Sequence, residues 1–596
     1  MVKTKSLEPR RKGAWPYVIG LCLFVVVLTV SIFIMNSELK AHVAGRVTAP
    51  AVAASLAGLE SVTLNEDGFQ PETLTLTPGG NTSEIGVTWY SDDTAGDGMV
   101  RFGDVIADAT SGAATTGKKW HKATIAGLAA DTVYVYSVSN DGREFSREYA
   151  YKTPKTDEFI FVAVGDPQLT TGLQDSTSNY FSFDGTTRMG WMETVQAMKT
   201  KLGDALNFIA GVGDQVDLTN VPVDNAASIA TSEAEYRNFF EPGFLRSIPF
   251  APAVGNHDRQ YGFTYHYNIP NEQTFERLQG AAYGNATNGQ YAEVESRGNY
   301  YYAYNNALYV VLNDSSYPTG KTAAEALIAN FDSALAAAIT ANPNYDWLFV
   351  QHHKSTASVA DHIADRDIQY YVEAGFEKLM DKYGVDFVLA GHDHVYARSY
   401  PMYDGRPDIT KGGSSITDPN GTIYLTFTTA SGLKYYELFN AAGNLYVKDN
   451  ADYPYLVNGL QGSAEYMNGN LPLSNAKYLQ AKKPAFTSIR VTAYSVTFET
   501  YNVDNLNEPY DAFTVTKKEL VKLIDATPAA SVKKLNGNKN DLTIVVKETY
   551  SDGTAKVITE TFSIANNAAG TYSVGGRKVY VDTKGNDQIR ACYIVR

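Results

Sequence analysis

Between residues 57 and 155 the chain alternates apolar and polar positions with a period of two, in the short runs SVTLN, TLTLTP, IGVTWYS, MVRFGD, KATIAG and TVYVYSVSN. Glycine, aspartate and asparagine turns separate these runs. A two-residue period sends successive side chains to opposite faces, so each run predicts a half-buried strand, and short strands at this spacing predict a β-sandwich. From about 156 the pattern changes. Apolar strand-like runs (FIFVAV, LNFIAGV, FAPAV, WLFVQ, VDFVLA) now alternate with helical stretches over 188–206, 231–240, 321–341 and 366–383. Such alternation predicts a largely parallel or mixed sheet with helices outside it. After VDFVLA, the runs TIYLTFTTA, TSIRVTAY and VTFETYNV return to strand character. KKELVKLIDA (517–526) reads as a short connector. Beyond it LTIVVKETYSDG, AKVITETFSI, YSVGGRKVYVD and IRACYIVR form a small all-β unit. The expected organisation is an N-terminal segment 1–56, a sandwich 57–155, an α/β domain 156–516 and a β domain 517–596.

The first segment departs from this pattern. Residues 17–35, YVIGLCLFVVVLTVSIFIM, carry no charge and follow Lys3, Lys5, Arg10, Arg11 and Lys12. Nineteen residues at a helical rise nearly match a hydrocarbon core of about 30 Å. A basic flank predicts a cytoplasmic N-terminus, so the expected location is the cell membrane, single-pass, with the rest of the chain outside. A cleaved signal followed by the small residues of 49–54 is the alternative. Residues 36–56, small and Ala-rich, read as a linker.

Composition narrows the partners. Net charge is −15. No basic footprint for nucleic acid is visible, so nucleic acid is not expected as a structural partner. The chain has two cysteines, Cys22 in the apolar span and Cys592 in the last β unit, so no disulfide framework is expected. Export without disulfides suits a bacterial surface protein, in which the β domains can contact cell wall. The 41 tyrosines are spread throughout and read as strand propensity and exposed aromatics.

Histidines are scarce, nine in all, and seven of them fall between 257 and 394. The five apolar runs of the α/β domain end in Asp166, Asp214, Asn256-His257-Asp258, His352-His353 and His392-Asp393-His394. In an open α/β sheet the carboxyl ends of strands meet at one crevice. Asp, Asn and His there offer the mixed oxygen and nitrogen ligands that suit first-row divalent metals.

The order GD…GD…GNHD…H…GHDH resembles the calcineurin-like metallophosphoesterases, and within them the purple acid phosphatase branch and its bacterial relatives. The stretch GLAADTVYVYSVS resembles a fibronectin type III module of the kind that precedes the catalytic domain in that branch. The implied fold is α+β to α/β: a four-layer metallophosphoesterase β-sandwich flanked by helices, with an N-terminal β-sandwich and a small C-terminal all-β domain. The resemblance implies two divalent or mixed-valence metal ions (Fe, Mn or Zn). Asp214 would bridge them, Asp166 and His394 would bind the first, and Asn256 and His392 the second. Aligning VQHHKS with a bacterial subgroup favours His353 over His352 as the remaining ligand; the other histidine is expected to pack or to hold a supporting hydrogen bond. His257 would contact phosphate or protonate the leaving oxygen, with Asp258 either orienting it or capping a turn. His362 would contact phosphate. His121 and His266 are expected at the surface or packed on tyrosine.

Two positions depart from the family. Where the first block commonly has Asp-x-His, this chain has Asp166-Pro167-Gln168. Where purple acid phosphatases carry a tyrosine three residues beyond the bridging carboxylate, it has Asp217. The expected activity is hydrolysis of a small phosphorylated substrate, a monoester, by in-line attack of metal-bound hydroxide. A phosphodiesterase or nucleotide pyrophosphohydrolase is the alternative within the class. A surface binding or adhesion protein with a decayed site is the alternative outside it.

Overall fold

The computed structural model describes residues 46–48, 59, 62–114, 117–171, 187–217, 226–258, 260–276, 281–283, 295–360, 362, 365–432, 434–436, 478–479, 481–517, 523–534, 540–550, 555–564, 568–575, 577–583 and 588–594. The apolar span 17–35, its basic flank and the small-residue stretch 49–54 lie outside the described residues. Two compact units result, 1–516 and 517–596.

The first unit opens with a β-sandwich. One sheet holds Glu72–Pro78, Glu84–Asp92 and Lys118–Ala126, with Thr110–Ala113 and Arg46–Thr48 also paired to the last of these. The other holds Val105–Asp108, Met99–Phe102, Val133–Ser139 and Tyr149–Lys152. Leu74, Leu76, Val87, Trp89, Phe102, Tyr134 and Val138 fill the space between them. Residues 63–67, at the first expected run, are irregular instead. The sandwich is bonded to the domain that follows. Tyr136 donates to the Arg246 carbonyl (2.6 Å). Thr77 donates to the Asn268 carbonyl (2.7 Å), and the Asn268 amide returns to the Ala123 carbonyl (2.9 Å).

The α/β domain stacks two sheets. The first runs in the order β3 (Phe250–Pro252), β2 (Leu206–Gly211), β1 (Glu158–Val164), β8 (Ala485–Thr492), Ser495–Asn502, Asp511–Thr516 and Ser415–Thr417. The second contains β4 (Ala307–Val311), β5 (Trp347–Lys354), β6 (Phe387–Gly391) and β7 (Ile423–Thr426) as parallel neighbours. The period of two in β1 explains the stacking: Phe159, Phe161 and Ala163 enter the core between the sheets, while Val162 and Val164 enter the core on the far side. Phe161 stacks on Phe208 (4.9 Å), and a second stack of Tyr302, Tyr309 and Phe349 meets that pair edge to face. Tyr300, Tyr302, Tyr304 and Tyr309 are thus core residues. Many tyrosines fill space between sheets that polar side chains could not, which corrects the expectation of exposed aromatics.

Helices α1 (Thr187–Leu202) and α2 (Ala226–Phe239) cover the first sheet through Trp191, Val195, Met198, Tyr236 and Phe239. Helices α4 (Lys321–Ala341), α5 (Arg366–Ala374) and α6 (Phe376–Tyr383) cover the second; α3 (Gln260–His266) follows β3. The four layers are helix, sheet, sheet, helix, as the resemblance implied. α4 is apolar enough to cross a membrane by composition. Its Leu327, Phe331, Leu335 and Ala338 are buried in this core, so it is a core helix. The single helix expected over 366–383 is two helices, because Gly375 at φ +97° breaks the chain into a left-handed turn.

In the second unit, Leu523–Lys534, Asn540–Tyr550 and Ala555–Ile564 form one antiparallel sheet, and Gly570–Val574, Arg577–Thr583 and Ile589–Ile594 another. The expected connector 517–526 is shorter than its sequence suggested. Pairing with Asn540–Tyr550 recruits its second half, from Leu523, into a strand.

Candidate metal centre

Parallel strands in both sheets point the same ends to one place. Asp166 lies just past β1, Asp214 past β2, Asn256 and His257 past β3, His353 at the end of β5, and His392 and His394 past β6. Gln351 ties the sheets together there, donating to the Gly211 and Ala251 carbonyls (2.6 and 2.9 Å). The turns are tight. Asp166, Asp214, His392 and His394 all sit at positive φ (+43°, +52°, +72° and +46°), a conformation that non-glycine residues keep only where packing and bonding over-determine it. Glycines clear the space. A Cβ on Gly255 would lie 2.0 Å from Asp214 Oδ1, one on Gly391 2.4 Å from Asp166 Oδ2, and one on Gly213 2.4 Å from His353 Nδ1.

The donor atoms converge. His353 Nε2 lies 2.9 Å from Asn256 Oδ1, 3.2 Å from Asp214 Oδ2 and 3.2 Å from His392 Nδ1. Beside this group His394 Nε2 is 3.5 Å from Asp166 Oδ1. Each second nitrogen of the pair His353 and His394 is engaged by a carbonyl: His353 Nδ1 by Val212 (2.8 Å), His394 Nδ1 by Lys434 (2.8 Å). That contact sets the tautomer and leaves the lone pair of Nε2 facing the carboxylates. Main-chain donors fix the carboxylates: His392 N–H on both Asp166 oxygens and His257 N–H on Asp214 Oδ1.

Electrostatics favour a cation here. Burial alone would raise Asp214, yet the charges of His353 and His257 hold it well below the usual carboxylate range. Burial lowers His353, but Asp214, Asp166 and Asp314 reverse that and hold it above its ordinary value. Burial and the neighbouring His362 and His353 keep His392 well below. A field that draws a proton to His353 draws a metal ion as readily, and a neutral His392 keeps a lone pair to give it. Gln168 adds a further sign: its Nε2 reaches Asp214 Oδ2 (3.1 Å), while its buried Oε1 has no hydrogen-bond partner. The residues therefore fit divalent metal ions. Asp214, His353, His392 and Asn256 would hold such an ion, with Asp166 and His394 beside them.

The structure separates the two adjacent histidines. His353 faces the ligands, whereas His352 Nδ1 bonds Asp314 Oδ2 (2.8 Å) and its ring packs on Phe376. Asp258 accepts from Gln215, Val216 and Gly255 N–H, which is the turn-capping alternative. The carboxylate beside His257 Nδ1 is that of Asp217, at 3.3 Å. His362 stacks on His392 (4.1 Å) and bonds Asp365. Burial lowers His362, but the hydrogen bond to Asp365 and the charges of Asp393 and Asp365 lift it above its ordinary value. His266 is buried between Tyr90 and Tyr236, and His121 is buried on Trp89 with Ser91 and Ser111, so neither is a surface residue.

Three residues of the site went unread in the sequence. Asp314 accepts from His353 N–H (3.1 Å) and Lys354 N–H (2.9 Å) as well as His352, and so fixes the end of β5. Its signal was present: the run ALYVVLN ends in Asp314 just as the other runs end in ligands. Thr429, on the loop after β7, donates to the Asp166 carbonyl (2.8 Å). Tyr436 sets its ring against both His362 (4.7 Å) and His394 (5.2 Å).

Comparison with known proteins agrees. Residues 161–396 match the calcineurin-like phosphoesterase family, and residues 71–153 match the purple acid phosphatase N-terminal domain. Two uncharacterized proteins of Mycobacterium tuberculosis are each 25% identical over 379 residues, 58% of this chain and 66% of theirs, so the chain spans just under two thirds of those relatives. The purple acid phosphatase PPD1 from yellow lupin (Lupinus luteus) seeds has a TM-score of 0.50 at 17% identity, over 75% of each chain, a likeness of fold. Within this chain, residues 71–153 are thus a domain of the purple acid phosphatase N-terminal type, followed over 161–396 by a calcineurin-like phosphoesterase domain.

Proposed function

We propose that this protein hydrolyses phosphate monoesters at a dinuclear metal centre held outside the cytoplasm. The observation that carries the reading is the meeting of Asp214, Asn256, His353 and His392 within hydrogen-bonding distances, with Asp166 and His394 adjoining. Two bound divalent cations would neutralise phosphate oxygens and lower the pKa of a water between them. The chain's own residues do the rest. Asp214 turns Oδ2 toward His353 and Gln168, while the His257 N–H holds Oδ1. His257 lies with Nε2 3.8 Å from Asp214 Oδ2 and Nδ1 beside Asp217, a place from which it can give a proton to the leaving oxygen. His362, on the other side of His392, offers a second donor to the phosphoryl group in its protonated form, with Nδ1–H on Asp365 and Nε2–H free for the substrate. Location rests on the uncharged 17–35 span behind its basic residues.

The test is metal analysis of the purified full-length protein with rates on an aryl phosphate, a bis-aryl phosphate and a nucleoside pyrophosphate, each with added Mn, Zn or Fe. Two metal ions per chain and a preference for the monoester are expected. Preference for either of the others moves the assignment to a diesterase or pyrophosphohydrolase. Metal without turnover on any of them would support a binding protein instead.

A further inference from the structure

We propose that Asp365 is a positioning residue for His362, holding its ring in one tautomer with Nε2 as the nitrogen offered to the substrate. The proposal rests on the phosphoesterase reading of this site and concerns how one of its phosphate-facing side chains is kept in place.

Asp365 is the N-cap of α5, with extended backbone (φ −65°, ψ 134°). Aspartate in that conformation ordinarily accepts a hydrogen bond from the first turn of its own helix. Here the side chain makes no such bond. It reaches back three residues instead, to His362 Nδ1 at 2.7 Å. The chain closes the same turn, Asp365 N–H donating to the His362 carbonyl (2.9 Å). On its other side His362 N–H donates to Asp393 Oδ1 (2.9 Å), the residue between His392 and His394. The ring lies nearly parallel to His392 (4.1 Å, 25°) and takes Tyr436 edge-on (4.7 Å, 82°). Backbone, ring face and ring edge are thus all fixed, and the remaining freedom is a ring flip or a change of tautomer. A carboxylate on Nδ1 removes both, because it accepts a hydrogen bond and donates none. With Nδ1–H committed, Nε2 is the ring's one remaining nitrogen.

The test compares Asp365→Ser, which can still cap the helix but is too short to reach the ring, with His362→Ala and the double variant, all in the full-length protein. Asp365→Ser is expected to lower kcat/KM on an aryl phosphate by about 10-fold, within the range for groups that orient an active-site histidine, and to weaken inhibition by inorganic phosphate. In a His362→Ala background it should change neither. Nitrogen NMR of ¹⁵N-histidine-labelled protein supplies the readout that does not depend on turnover: the His362 Nδ1–H tautomer in the parent, a mixture in Asp365→Ser. Additive losses in the double variant, or an unchanged tautomer in Asp365→Ser, would overturn the proposal. Parental rates and phosphate inhibition in His362→Ala would instead overturn the role given to His362, and the tautomer comparison would still decide the role of Asp365.

Discussion

At the scale of the residue, Asp214 carries the largest electrostatic responsibility. It is fully buried yet charged, and its four nearest polar neighbours are His257 N–H, Gln168 Nε2, His353 Nε2 and His257 Nε2. Asp214→Asn keeps the shape and removes the negative charge. It should abolish turnover and lower metal content, as should His392→Ala, while the β-sandwich stays folded. Metal stoichiometry by emission spectrometry, alongside circular dichroism, checks this; a parental metal content in both variants would sink the dinuclear reading. His257→Ala should keep its metals and lose ~10²–10⁴ in rate on alkyl phosphates, the usual worth of a general acid. Nitrophenyl esters, whose leaving group needs no proton, should lose much less, and an equal loss on both would assign His257 to binding. A third expectation is optical. Asp217 replaces the tyrosine whose phenolate would give charge transfer to ferric iron, and it lies against His257. Tyr300 and Tyr396 are committed to the Pro252 carbonyl and to Asp511. Iron-loaded protein should therefore lack a strong purple band; an intense visible band, lost on substituting Tyr436, would show that a different tyrosine had replaced the missing one.

At the scale of the element, strand ends and glycine turns do the positioning, and helices supply burial. Gly213, Gly255 and Gly391 have no room for a side chain because a carboxylate or imidazole occupies the place. Helix α6 shows the cost of packing close to this region. Glu377 lies in its first turn with Oε1 buried and unpartnered, and burial pushes its carboxyl up to about 7. The folded state therefore prefers the protonated form. Its contribution is fully present below the ordinary carboxylate range and is lost as pH rises through about 7. Glu377→Gln, a neutral mimic, should leave stability near pH 5 unchanged and add about 1–3 kcal/mol at pH 8. Calorimetric melting at the two pH values reads this directly. An equal shift at both would mean that Glu377 is charged in the fold.

At the scale of the whole molecule, the sandwich and the α/β domain form one unit, sewn together by Tyr136, Thr77 and Asn268, whereas residues 517–596 form a second. The 17–35 span predicts that the protein sediments with membranes, and that protease added to intact cells cleaves within 57–596. Full recovery of activity in the soluble cytosolic fraction would contradict that topology.

What the sequence determined by itself was local. A period of two, ended by a glycine turn and a ligand-type residue, marks a strand whose end faces a site, and Asp166, Asp214, Asn256, His392 and His394 could all be placed that way. Two strands of such a sheet need only run parallel for their ends to meet. The choice between His352 and His353 was a matter of which face of β5 turns toward the first sheet, and that depends on the stacking of the two sheets. Asp258 could have oriented His257 or capped its turn; the backbone donors of Gln215 and Gly255, from two separate loops, decided for the cap. Gly375 broke one expected helix because its left-handed φ is a property of the packed turn and not of the apolar period. Asp314 and Thr429 acquire their roles only when distant segments are brought within about 3 Å, since a hydrogen bond has no reach along the sequence and acts only across the space that folding closes.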